Sequence, residues 1–262
     1  MKIIFLVIFF VIVGCGKKVH SQELSLKHDY FPEGISVSYG VGNFAVRDEF
    51  LTNEKYSGTI PFFSIGWTKS TDSSGFRVLF SIHNSSNIKN KNMTADILNF
   101  SLIWDFFYHI KTFQLFSKEC ILFAGPSAEL FIYSNRQDYA TDGIFLDLSF
   151  ASLISLGANV GLSVPLNDKL TAETNLRTNI FSLGIRMPLV NDVDGAKNDQ
   201  SRFKLLTLIK AINAQFDIGL RYFVFEDLSL KAGYRFQVTN IAVWEKLLSS
   251  SDHFVLSLSY SF

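Results

Sequence analysis

Five histidines, two cysteines, 24 basic and 24 acidic side chains are the chemical resources of this 262-residue chain. His83 and His253, both expected near the outer ends of strands, are the side chains suited to general acid–base work, and Asp252 adjoins His253. A histidine base needs a partner that orients its ring. No paired-Asp motif occurs and no second carboxylate is placed to serve either ring, so no catalytic residue is assigned. His28 and His109 are too scattered to make a metal cluster with them, and neither metal nor cofactor is expected. Cys120 is alone once Cys15 is set aside and is read as inert at a strand base. The segment Gly40-Val41-Gly42-Asn43-Phe44-Ala45 matches G-x-G-x-x-A, the dinucleotide fingerprint. That motif works only when a helix follows it, and Val46-Arg47-Asp48-Glu49-Phe50 leads into a polar loop. The glycines are therefore read as small residues facing a crowded interior.

The charged residues are more informative, because many share one parity. Arg77, Asp105, Glu173, Arg177, Asp217, Arg221, Lys231 and Arg235 fall on the polar faces of alternating segments, with Glu129 as a ninth. Both signs occur in similar number. In a narrow interior, long arginines facing carboxylates are expected to form a network, since an unpaired buried charge is costly.

The elements that carry these residues have period two from Ile35 onward. Leu98, Phe100, Leu102, Trp104, Phe106 and Tyr108 alternate with a face carrying Asn99, Ser101 and Asp105. Leu228, Leu230, Ala232, Tyr234 and Phe236 oppose Ser229, Lys231, Gly233, Arg235 and Gln237. Two-faced strands suit a soluble sandwich, apolar side in, or a membrane barrel, apolar side out. Length favours the barrel: soluble strands average ~5–6 residues, whereas a tilted membrane strand needs ~9–11. Strands are predicted near 33–45, 57–69, 74–84, 94–108, 118–133, 146–164, 169–186, 206–222, 228–239 and 253–262. The parity breaks at Ile180-Phe181, where a bulge or a slipped register is expected. Long polar connections (RDEFLTNEKY, HNSSNIKNKN, NRQDYATDGI, PLVNDVDGAKNDQS, NIAVWEKLLSSSD) alternate with shorter ones (STDSS, PLNDK, FVFED, with HIKTFQLFSK intermediate). In an outer-membrane barrel the long loops face outside and the short turns face the periplasm. With that orientation Trp67, Trp104, Phe106, Tyr108, Tyr222, Tyr260 and Phe262 gather at the periplasmic end, as an interfacial aromatic girdle would.

Composition agrees. The chain is 15% aromatic and 18% charged, with 27 Phe, 5 Pro and zero net charge, so no basic excess points to nucleic acid. The apolar run Ile3–Val13 suits a signal-peptide core, and export is expected, with residues 1–21 as the leader cleaved after Ser21. Ile12-Val13-Gly14-Cys15 also resembles a lipobox, which would leave Cys15 as a lipid-bearing N-terminus. Residues 22–32 form a short periplasmic segment and 33–262 the barrel domain. No later run reaches the ~18 apolar residues of a membrane helix.

The chain closes on Phe254, Leu256, Leu258, Tyr260 and Phe262 at alternate positions. This ending resembles the C-terminal assembly signal of bacterial outer-membrane proteins. The mature chain resembles the small outer-membrane β-barrel, porin-family, proteins. The resemblance implies an all-β fold, a single antiparallel transmembrane barrel of about ten strands closed by the C-terminal strand, residing in the bacterial outer membrane. It implies outer-membrane lipid and the barrel-assembly machinery as partners. A monomer with a charge-plugged lumen is expected, acting structurally or on an unidentified extracellular ligand through five outer loops. A narrow channel or transporter for small solutes is the second reading. An outer-rim enzyme is the third, a lipid-modifying one or a hydrolase like the omptin proteases, which are also ten-stranded but carry the acidic pairs missing here.

Overall fold

The structure, a computed structural model, describes residues 33–49, 51–71, 73–90, 93–115, 118–139, 146–189, 203–208, 210–242 and 246–262. The leader, the lipobox and the 22–32 segment lie outside these residues. Eleven strands follow in order: β1 (Gly34–Asp48), β2 (Thr52–Ser70), β3 (Ser74–Lys89), β4 (Met93–Leu115), β5 (Lys118–Tyr139), β6 (Leu146–Asn167), β7 (Leu170–Leu189), β8 (Phe203–Thr207), β9 (Ala211–Phe223), β10 (Leu228–Ile241) and β11 (Leu247–Ser261). No helix occurs among the described residues.

Apart from β8 and β9, which both pair with β7, each strand pairs antiparallel with its chain neighbour, and β1 pairs with β11 from Gly34↔Ser261 to Asp48↔Leu247. That pairing closes the sheet into a barrel. The β8 and β9 segments together form one of its ten staves: β8 pairs with the outer part of β7 and β9 with the inner part. The strand predicted at 206–222 is thus two strands, β8 ending at Thr207 and β9 starting at Ala211. The parity break at Ile180-Phe181 is a β-bulge, since Leu156 pairs with Phe181 and Gly157 with Asn179, leaving Ile180 over. A bulge strips ladder partners from its neighbourhood. Here the Asn179 side chain replaces them. Its amide donates to the Ala211 carbonyl (2.9 Å) and to Ser182 Oγ (2.7 Å), and its oxygen accepts from the Asn213 backbone N–H (2.6 Å). Asn179→Leu strands these buried groups and is expected to cost about 1–3 kcal/mol, read as a lower urea midpoint of the folded barrel.

The strands outrun the bilayer. β4 has 23 residues and β5 and β6 have 22, about twice the ~9–11 that a membrane needs. Most of the polar sequence expected as outer loops is strand: β1 continues through Asp48, β3 through Lys89 and β5 through Tyr139. HIKTFQLFSK is likewise mostly a β4–β5 hairpin. Polar residues pair as well as apolar ones where the outward face meets water, so composition marked the membrane boundary and not the strand end.

The outward face carries the apolar belt. Ile35, Val37, Tyr39 and Val41 on β1 and Phe254, Leu256, Leu258 and Tyr260 on β11 are all exposed. Above that belt the outward face turns polar, with Asn43 Nδ2 donating to Asp252 Oδ1 (3.1 Å). At the opposite end Trp67, Phe106, Tyr108, Tyr222, Tyr260 and Phe262 are exposed and Trp104 is half-buried. Trp67 meets Phe76 edge-on (6.1 Å) and Phe76 meets Phe106 (4.8 Å), so these rings form a continuous arc with a member, Phe76, that parity alone had not singled out.

Inside, the barrel holds two kinds of filling. The outer half is packed by fifteen buried residues, among them Phe44, Tyr56, Ile60, Ile97, Phe131 and Leu153. Each large apolar side chain kept from water there contributes roughly 1.5–3 kcal/mol. Below it the lumen is polar. Barrels of ~8 strands are filled by their own side chains, and this ten-stave barrel stays near that regime.

Candidate functional site

The lumen is built where strand parity turns the charged residues inward. β4 turns Asp105 in, fully buried. Arg77 on β3 reaches it laterally, donating through Nη2 to Oδ2 at 2.6 Å. Arg177 comes from β7, across the lumen, and donates through Nε to Oδ1 at 3.1 Å. Ser127 Oγ adds a third donor at 2.8 Å. Arg177 passes the chain on through Nη1 to Gln215 Oε1 (3.3 Å), Gln215 donates to Asp217 Oδ2 (2.6 Å), and Arg235 Nε donates to Asp217 Oδ1 (2.6 Å). One connected path of charge-assisted bonds therefore runs from β3 to β10 through the middle of the barrel. Such bonds are short and strong because at least one partner is ionised.

Two further clusters flank it. Toward the periplasm, Glu173 accepts from Arg221 Nε (2.6 Å) and from Lys231 Nζ (2.7 Å). Toward the outside, Glu129 accepts from Asn213 Nδ2 (2.8 Å) and touches no cation directly. The nine charges assigned by parity thus occupy the lumen in three linked groups.

Sequence reasoning missed three things. Asp48 and Arg186 form a fully buried ion pair at the outer end. Asp48 falls in a segment that reads as loop, and Arg186 ends a predicted strand beyond the parity break at Ile180-Phe181, so neither side chain could be assigned a face. The amides Asn179 and Asn213 are buried in the same interior, beside Gln215 and Gln237 of the polar faces. The apolar outer filling was invisible because Ile97 and Phe131 sit on the face that is polar elsewhere in their strands.

The histidines are a correction. His83 and His253 read as rim residues near the outer strand ends. Both are buried inside the barrel, on the periplasmic side of the apolar filling. Their rings stack at 4.8 Å, and Phe62 packs on both, at 4.9 and 5.6 Å. Arg235 lies over the Phe62 ring at 4.5 Å. The strands run on past them, which is why a position near the predicted end became a position in the middle. A Cβ on Gly40 would press on the Phe254 carbonyl and touch the Phe62 ring, and one on Gly42 would overlap the Asp252 carbonyl. Close approach of β1 to β11 and to Phe62 accounts for the G-x-G segment. Cys120 is buried at the base of β5, and no group of three or more metal-ligating side chains occurs among the described residues.

With an apolar belt outside, a polar network inside and no free edge between β1 and β11, only a lipid bilayer is a suitable solvent for this surface. The fold is that of a bacterial outer-membrane β-barrel. The outer-membrane protease OmpT of Escherichia coli has a similar structure, with a TM-score of 0.53 at 9% identity, covering 92% of this chain and all of that one. At that identity the likeness shows the fold and nothing finer. The translocator domain of the autotransporter NalP from Neisseria meningitidis matches at a TM-score of 0.48 and 13% identity, over 89% of this chain and 90% of that one. Neisserial surface protein A matches at 0.34 and 13%, over 88% and 99%. These two add no argument at such scores. No protein-family model matches the chain, and no curated protein matches its sequence. The barrel is an outer-membrane protein; its role is a separate question.

Proposed function

We propose that this is a non-conducting, monomeric outer-membrane barrel. Its role is structural or interactive, exercised by the outer ends of its long strands and the loops they carry. The observation that supports this is the double filling of the lumen, an apolar cluster above and a salt-bridged network below. A solute crossing the barrel would have to displace both. The reading as a narrow channel draws on the excess of polar groups in the inner half. The rim-enzyme reading has less to stand on, because His83 and His253 lie beneath the apolar cluster and away from the rim. Barrel-assembly machinery and outer-membrane lipid remain the proposed partners in biogenesis.

The test is single-channel conductance of the folded, mature protein in a planar bilayer at high salt. Silence from protein shown to be folded by its gel mobility without heating supports the reading. Steady, reproducible openings overturn it in favour of the channel.

A further inference from the structure

We infer that the periplasmic mouth of the barrel holds a binding site for a small oxyanion, between Arg77 and Arg221. A cavity of about 60 Å³ opens there. One water needs about 10–15 Å³ of such space, so the cavity suits one tetrahedral oxyanion or a few waters. Arg77 and Arg221 line it, with Ser36, Thr68 and Ser259, and no carboxylate is among its lining residues; Arg221 is held in place by Glu173 and Ser229. Five hydrogen-bond-donating side chains thus meet around one small volume.

The charge balance points the same way. Asp105 is shared by two cations, Arg77 and Arg177. Glu173 is also shared by two cations, Arg221 and Lys231. Asp217 is bonded to Arg235. Counted over all three groups of the lumen, five cations (Arg77, Arg177, Arg221, Lys231 and Arg235) stand against four carboxylates (Asp105, Glu129, Glu173 and Asp217), an excess of one positive charge. The cavity lies between the Asp105 and Glu173 clusters and takes one arginine from each. Arg77 spends Nε and Nη2 on Asp105, and its Nη1 makes no hydrogen bond among the described residues. A planar guanidinium with an unused edge is a strong oxyanion donor. Water is the competitor for the site, and the anion prevails because the lumen carries one more cation than carboxylate and Arg77 keeps a free donor edge.

The ligand class is an oxyanion, either a phosphate or a carboxylate reaching in from the periplasm. The inference does not depend on whether the lumen conducts, since the cavity lies on the periplasmic side of both fillings. The test is titration of the folded full-length barrel, in a zwitterionic detergent, with inorganic phosphate and separately with acetate, followed by calorimetry. Saturable binding of one of them at one site per barrel is expected, and which one binds identifies the ligand class. Arg77→Gln is expected to weaken it at least tenfold. Thr68→Val with Ser259→Ala keeps both charge clusters intact and is expected to weaken it several-fold. Absence of saturable binding of either anion overturns the inference, as does binding that all of these variants leave unchanged.

Discussion

Asp105→Ala is expected to destabilise the folded barrel by about 3–5 kcal/mol, the range seen when one partner of a buried ion pair is removed. Two arginines depend on this carboxylate, at 2.6 and 3.1 Å, and its own side chain is fully buried. Removing it leaves Arg77 and Arg177 facing each other across a water-poor lumen with no shared anion. Ser127 also loses its acceptor. The comparison with Asp217→Ala sharpens the claim. Asp217 serves Arg235 alone among the cations bonded to it, so its loss strands one guanidinium instead of two. The expected order is therefore Asp105→Ala well below Asp217→Ala, measured as urea midpoints of protein folded in lipid vesicles with unchanged slope. A third variant separates charge from packing. Asp105→Leu with Arg77→Met and Arg177→Met replaces the cluster by apolar side chains of similar volume, and is expected to recover most of the loss. Equal midpoints for Asp105→Ala and the native barrel would mean that water reaches the cluster and solvates the arginines freely.

The strength of that expectation rests on how the barrel was legible in the sequence. A period of two is unambiguous about which face a residue takes, so Arg77, Asp105, Arg177 and Asp217 could be turned inward before any pairing was known. The same logic found the bulge at Ile180-Phe181, since two apolar neighbours cannot both face lipid in a regular strand. Height along the strand was not legible. Parity says in or out and nothing about distance from the membrane centre. His83 and His253 were therefore assigned to the rim and lie inside, because the strands continue into segments whose polar composition read as loop. Which charges pair was not legible either. Arg177 meets Asp105 across the lumen, over two intervening strands, and only the closed ring of ten staves decides which residues oppose one another. The outer apolar cluster escaped for a third reason. Phe131 and Leu153 reverse the polarity of the inward face above the membrane, where both faces of the wall meet water or protein and lipid no longer dictates the pattern.

That reversal leads to the last expectation, which concerns conduction. The two fillings lie one above the other, so they act as seals in series. An ion must pass both, and opening either one alone leaves the barrier of the other. Asp105→Ser with Arg177→Ser removes the centre of the charged seal while conserving net charge. Phe44→Ala with Phe131→Ala opens the apolar seal, where Phe44 and Phe131 are almost wholly buried. Each pair alone is expected to leave the barrel silent in a planar bilayer. The four changes together are expected to produce discrete openings, an effect far larger than the sum of the two. This strong non-additivity is the signature of barriers in series, because current is set by the higher one. Large-to-small changes in a packed interior cost ~3–5 kcal/mol per Phe, so each variant must first be shown folded by its gel mobility without heating. Openings from the charge variant alone would mean that the apolar cluster lets ions by, and the lumen would have a single seal. Silence from the folded fourfold variant would mean that neighbouring side chains such as Arg235, Phe62 and Gln237 close the space that was made, and the plug would extend through the whole polar interior.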